Sequence, residues 1–166
     1  MSDSAMKTHP NYAILDGFYD AFSRKDHETM RTYYAPEATF EDPAFKLDSG
    51  ARAADMWEML CKRGADLELD YEVLSVDDDG GQVKWDAHYT FSQTGNKVHN
   101  IIVATIKLRD GKIVEHRDDF DFWRWSSQAL GLPGKVLGWS GFLRDKVRQK
   151  AGKQLELYVA KRDAAS

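Results

Sequence analysis

DLELDYEVLSVDDDGGQVKWDAHYTFSQTGNKVHNIIVATIKLRDGKIVEHRDDFDFW, residues 66–123, has a two-residue periodicity and is punctuated by Asp79-Gly80-Gly81, Thr94-Gly95-Asn96 and Asp110-Gly111. Such clusters adopt the positive-φ turns that match the twist of paired strands. The stretch predicts four successive strands at 66–76, 82–92, 97–109 and 112–123, antiparallel because their connections are short. In the second, Val83, Trp85, Ala87, Tyr89 and Phe91 share one face and Lys84, Asp86, His88 and Thr90 the other, so the first set faces a core.

N-terminal to this block the period is helical. Ile14, Leu15, Phe18 and Phe22 form one apolar stripe within 11–23, and Asp26 can cap a short helix through Met30 and Tyr33 that Pro36 ends. Ala38 to Asp42 is a short extended segment, because Pro43 disfavours helical geometry at Asp42. A third helix opens at Ser49 or Gly50 and carries Ala53, Met56, Trp57, Leu60 and Cys61 to Gly64. C-terminal to the block, Leu143, Val147, Ala151, Leu155 and Val159 recur at spacing four with Lys and Arg between them, an amphipathic helix. Helices followed by a long meander predict an α+β fold.

The 166 residues suffice for one core, and the organisation expected is a body at 1–131 with a basic helical tail at 132–166 packing on the body or on a partner subunit. That tail holds eight Lys or Arg against three Asp or Glu, while the whole chain has a net charge of −4, which does not favour nucleic acid. The apolar run Ile101–Ala104 is far shorter than the roughly 20 residues of a membrane span, and MSDSAMKTHP lacks a signal-peptide core, so a cytoplasmic protein is expected. Trp139 and Phe142 give the tail a secondary reading as a membrane-surface helix. Cys61, the single cysteine, sits among apolar neighbours as a core thiol. No phosphate-binding glycine loop, serine-hydrolase elbow or paired metal-ligand motif occurs, so neither cofactor nor metal is implied.

Chemistry concentrates at two places. Asp42 stands before Pro43 where the chain crosses from helices to sheet; it can serve as a base or brace the turn. On the last predicted strand, alternation puts His116, Asp118, Phe120 and Phe122 on the inner face, where a His and an Asp two apart form either a carboxylate-oriented imidazole or a buried structural pair. A bulge before Trp123 would exchange Asp118 for Asp121.

FYDAFSRKDHETMRTYYAPEATFEDP, DGKIVEH and DFDFWRWSSQALG, in this order between about Asn11 and Gly131, resemble the nuclear transport factor 2-like superfamily and its SnoaL-like and ketosteroid-isomerase-like bacterial members. The resemblance implies a cone-shaped barrel of three N-terminal helices on a strongly curved, antiparallel-rich sheet. It also implies an internal pocket for a small apolar, polyketide-, terpenoid- or steroid-like molecule, and a homodimer. Within it Asp42 takes the isomerase base's place, while Phe18 and Ala104 replace the two groups that would hold an oxyanion, which argues against steroid isomerisation. The expected pocket comprises Phe18, Tyr19, Trp57, Trp85, Tyr89, Asn100, Ile102, Ala104 and Phe120, with Asp42, His116 and Asp118 as catalytic candidates. Isomerisation, cyclisation and epoxide hydrolysis stand beside a non-catalytic binding role, since a shared fold does not fix function.

Overall fold

The computed structural model describes residues 2–166. The elements run α1 (Asp3–Thr8), α2 (Pro10–Ser23), α3 (His27–Thr32), β1 (Tyr34–Glu41), β2 (Lys46–Leu47), α4 (Gly50–Arg63), β3 (Glu68–Asp77), β4 (Gly80–Thr90), β5 (Lys97–Arg109), β6 (Lys112–Asp119), α5 (Phe122–Leu130), α6 (Leu132–Leu137) and α7 (Gly141–Ala164). Side-chain caps fix where several helices begin: Asp26 accepts from Thr29 N at 3.1 Å, and Ser49 from Arg52 N at 3.1 Å.

The six strands form one sheet in the order β2-β1-β6-β5-β4-β3. β3 to β6 are an antiparallel meander, whereas β1 pairs with β6 in parallel, Phe40 opposite His116 and Glu41 opposite Arg117. This corrects the expected barrel. The sheet is mixed and open, neither strongly curved nor closed. Closure requires the outermost strands to pair, but the two-residue β2 meets only β1 and leaves β3 as the opposite edge. Pro36 also falls inside β1 rather than ending a helix. It occupies the stretch between Tyr34 and Thr39 where the register with β6 shifts, a position that tolerates a missing N–H.

The chain after β5 departs from its sequence pattern too. The fourth predicted strand stops at Asp119, because Asp121 accepts from Arg124 N at 3.0 Å and starts α5. The tail contains two helices, α6 and α7, rather than one, with a break around Gly138–Ser140.

The main core joins Leu15, Phe18, Tyr19 and Phe22 of α2, Met56 and Trp57 of α4, and the inward residues of β4–β6. Leu155 of α7 is buried in it, while Leu143 and Val147 pack on a second cluster of Val98, Phe122, Trp125 and Ala129. Among the described residues no helix is long and apolar enough to cross a membrane. Trp139 and Phe142, 78% and 61% exposed, project from the α6–α7 junction.

Candidate functional site

A cavity of about 430 Å³ lies between the inner face of β4–β6 and helices α4, α5 and α7. Trp57 enters from α4, Trp85, Ala87 and Tyr89 from β4, Asn100 and Ile102 from β5, Asp118 and Phe120 from β6 and its end, Trp125 from α5, and Leu143, Val147 and Ala151 from α7. The wall is predominantly apolar, with Asp42 and Asp118 as its two carboxylates.

The parallel pairing of β1 with β6 brings those carboxylates together: Glu41, the last residue of β1, is opposite Arg117, so Asp42 just beyond the strand comes near Asp118 of β6. A tight turn holds Asp42. Its Oδ1 accepts from Ala44 N at 2.7 Å and from Phe45 N at 2.6 Å, its own N–H donates to Phe45 O at 2.9 Å, and Arg148 Nη2 donates to its carbonyl at 2.9 Å. Among the described residues nothing donates to Oδ2. Burial of the carboxyl and the nearby charge of Asp118 push the Asp42 pKa up to about 7, against the pull of the two amides and Arg148. The turn and the proton-transfer capacity thus coexist in one residue.

His116 lies behind the cavity wall, fully buried, with Phe18 and Phe40 edge-on and Trp57 stacked at 6.0 Å. Trp57 Nε1 donates to Tyr34 Oη at 2.8 Å, so the Tyr34 hydroxyl proton is directed to His116 Nδ1, 2.7 Å away. Nε2 then carries the imidazole proton and donates to Asp118 Oδ1 at 3.1 Å; Tyr19 Oη is more distant, at 3.5 Å. A directed chain therefore runs from Trp57 through Tyr34 and His116 to Asp118. Burial raises Tyr34 and Tyr19 well above the usual phenol range, so both are neutral.

Two further polar groups line the cavity. Tyr89 Oη accepts from Trp125 Nε1 at 2.8 Å, which leaves its own proton free, and burial pushes its pKa up to about 12. The Asn100 side chain is buried, reaches the cavity and has no hydrogen-bond partner among the described residues.

Of the sequence-derived pocket set, Trp57, Trp85, Tyr89, Asn100, Ile102 and Phe120 line the cavity together with Asp42 and Asp118. Phe18, Tyr19 and Ala104 of that set do not, nor does His116, the remaining catalytic candidate. Phe18 is enclosed edge-on by Tyr19, Tyr33, Tyr34, Trp57 and His116, which fill the volume that a ligand would need. Asp121 is spent on the α5 cap. His88 and His99 stack at 4.1 Å away from the cavity, and burial pushes the Cys61 thiol up to about 11, away from thiolate chemistry. Among the described residues no cluster of three or more His, Cys, Asp or Glu is placed to hold a metal ion.

Sequence reasoning missed Tyr34 and the α7 wall. It also missed Glu58, a buried carboxylate engaged by Arg162 Nη1 at 3.0 Å, Tyr158 Oη at 2.8 Å and Arg31 Nη2 at 3.5 Å. Burial opposes its charge, but the Tyr158 and Arg162 contacts prevail and hold its pKa below the ordinary value. The spacing of Tyr158 and Arg162, four apart on α7, was the available signal.

A family model described as the SnoaL-like domain matches residues 15–116, from α2 to the buried histidine of β6. The chain belongs to the SnoaL-like domain family. This SnoaL-like chain is 15% identical to a polyketide cyclase candidate from Pseudomonas putida KT2440, with a TM-score of 0.62 over 73% of this chain and 98% of the other. A polyketide cyclase candidate from Streptomyces antibioticus shares 23% identity, with a TM-score of 0.57 over 75% and 100%. An LEH-like epoxide hydrolase of M. tuberculosis shares 18%, with a TM-score of 0.54 over 76% and 95%. At these identities the likeness is one of fold. Among curated proteins none matches the chain.

Proposed function

We propose that this SnoaL-like domain is an enzyme that performs general acid–base chemistry on a small, mainly apolar carbonyl compound, with Asp42 transferring the proton. One observation carries the reading: an Asp carboxyl in an apolar cavity, anchored through one oxygen with the other unpartnered, and poised at about pH 7. In the step proposed, Asp42 Oδ2 takes a proton from the carbon beside the carbonyl. The C–H electron pair forms a C=C bond, the carbonyl π pair moves onto oxygen, and Asn100 and Tyr89 donate hydrogen bonds to that oxygen. Return of the proton from Asp42 to another carbon completes an isomerisation; attack of the enolate carbon on a second carbonyl of the same molecule, whose oxygen then takes the proton back from Asp42, completes a cyclisation. His116 acts through Asp118, holding that side chain in place near Asp42 by the 3.1 Å contact between Nε2 and Oδ1. Glu58 is given no part in the step, since its acceptors are engaged by α3 and α7 and it lies off the cavity lining.

The pair of carboxylates in one cavity also favours a second reading, opening of an epoxide by an activated water. Both readings are tested without the natural substrate. Proton–deuterium exchange at the enolisable carbon of 2-tetralone is followed by NMR in D₂O, and styrene oxide hydrolysis is followed in parallel. The expected result is exchange about 10²-fold or more above the protein-free rate at neutral pH, returned to background by Asp42→Asn. Asp42-dependent hydrolysis without exchange would move the assignment to epoxide opening. Absence of both, with an apolar dye still bound, would make the protein a binding module.

A further inference from the structure

The cavity has an electrostatic axis. Its two carboxylates sit on the inner wall, whereas the three cations among its lining residues, Arg63, Lys146 and Lys150, are all exposed and therefore stand at its mouth with Ser92 and Gln93. None of the three forms an ion pair with a carboxylate among the described residues, although Arg148 and Arg162 of the same α7 helix are paired to Glu41, Asp55 and Glu58. Lys146 and Lys150 are four apart on one helix face, a like-charge arrangement that destabilises a helix when no anion lies between. Two of the cations are steadied by aromatic faces: Lys146 Nζ lies 4.8 Å from the Phe142 ring and Arg63 Cζ 5.7 Å from the Tyr158 ring.

We infer that the ligand is an acidic amphiphile, an apolar body carrying a carboxylate at one end. The carboxylate is held at the mouth by Arg63, Lys146 and Lys150. The apolar body lies along Trp57, Trp85 and Trp125, and the reacting end reaches Asp42. Orientation follows from charge alone. An anionic head directed inward meets Asp118 in a poorly hydrated wall, whereas directed outward it meets three cations and water. The inference names the substrate class for the cavity proposed above as the active site.

The test uses the full chain and the neutral dye N-phenyl-1-naphthylamine as reporter. Dodecanoate and 1-dodecanol, which differ in the charge of the head, are titrated as competitors at pH 8 and low salt. Dodecanoate is expected to displace the dye at a concentration about five- to tenfold lower, as three solvent-exposed contacts allow. The advantage disappears at high salt and in the triple variant Arg63→Gln/Lys146→Gln/Lys150→Gln, whose substitutions lie on the surface and spare the core. Equal or better displacement by dodecanol, an advantage retained by the triple variant, or dye displaced by neither competitor overturns the inference. The two proposals fail separately: loss of tetralone exchange with the carboxylate preference intact removes the catalytic reading alone. Exchange with no carboxylate preference removes the acidic substrate class alone.

Discussion

Tyr34 is the hinge of the buried polar chain. Its hydroxyl oxygen receives the Trp57 indole proton and gives its own to His116, within a shell of aromatic rings that offers no substitute partner. Tyr34→Phe keeps the ring and strands two buried groups, so a loss of about 2–4 kcal/mol in urea unfolding is expected. A loss below about 1 kcal/mol would mean that water already serves these groups and that the chain is not directed as described. The sequence exposes part of this arrangement. Alternation alone put His116 and Asp118 on one face, and Pro43 made Asp42 a turn residue, since both features are local. Tyr34 carries no signal because it lies just after a helix and two residues before Pro36, and only the parallel pairing with β6 turns it towards the histidine. Phe18, Tyr19 and Ala104 were placed in the pocket by resemblance; here the ring of aromatics around Phe18 occupies that volume instead.

Helix α7 is held at two points that differ in kind. Near its start Arg148 grips the backbone of the Asp42 turn; near its end Arg162 bridges Asp55 at 2.8 Å and Glu58 at 3.0 Å. Leu155 supplies the apolar contact between them. Arg162→Met removes the cation from a buried carboxylate that Tyr158 and Arg31 still contact, and a loss of about 1–3 kcal/mol is expected. Because α7 forms one wall of the cavity, hydrogen exchange along 155–164 should accelerate and the neutral dye should bind more weakly. Unchanged exchange would show that Leu155 and its neighbours hold the helix without the ion pairs. Local pattern carries such elements only so far. The interval 97–109 coincides with β5 because its alternation is unbroken between two turns. At β6 the alternation of Phe120 and Phe122 continues past the strand, and a single carboxylate, Asp121, converts the chain to helix. The tail's spacing of four was legible as helix, but its contribution to the cavity depended on where the helix docks.

Strand order is a property of the entire chain, and here it separates an open sheet from the barrel that the resemblance implies. The order rests on a contact that joins Thr39–Glu41 to Glu115–Arg117 in parallel across nearly half of the chain's length, a pairing that neither segment encodes by itself. The same pairing brings Asp42 near Asp118, so the fold bears the cost of keeping that carboxyl dry. The sign follows from proton linkage. With a folded pKa of about 7 against an ordinary 3.8, the native state retains a proton that the unfolded chain releases between about pH 4 and pH 7. Stability from this group is therefore full below the lower value and falls as pH rises through the window, by at most about 4 kcal/mol once both states are ionised. Asp42→Asn can keep both amide contacts through its side-chain oxygen and has no proton to lose. Urea unfolding of both proteins at pH 4.5 and pH 8 isolates the term, because the other titrating groups are common to the pair. The Asn variant should gain on the parent by a few kcal/mol between the two conditions. Parallel behaviour would place the Asp42 carboxyl in water at an ordinary pKa, and with it would go the reason for assigning neutral-pH proton transfer to this cavity.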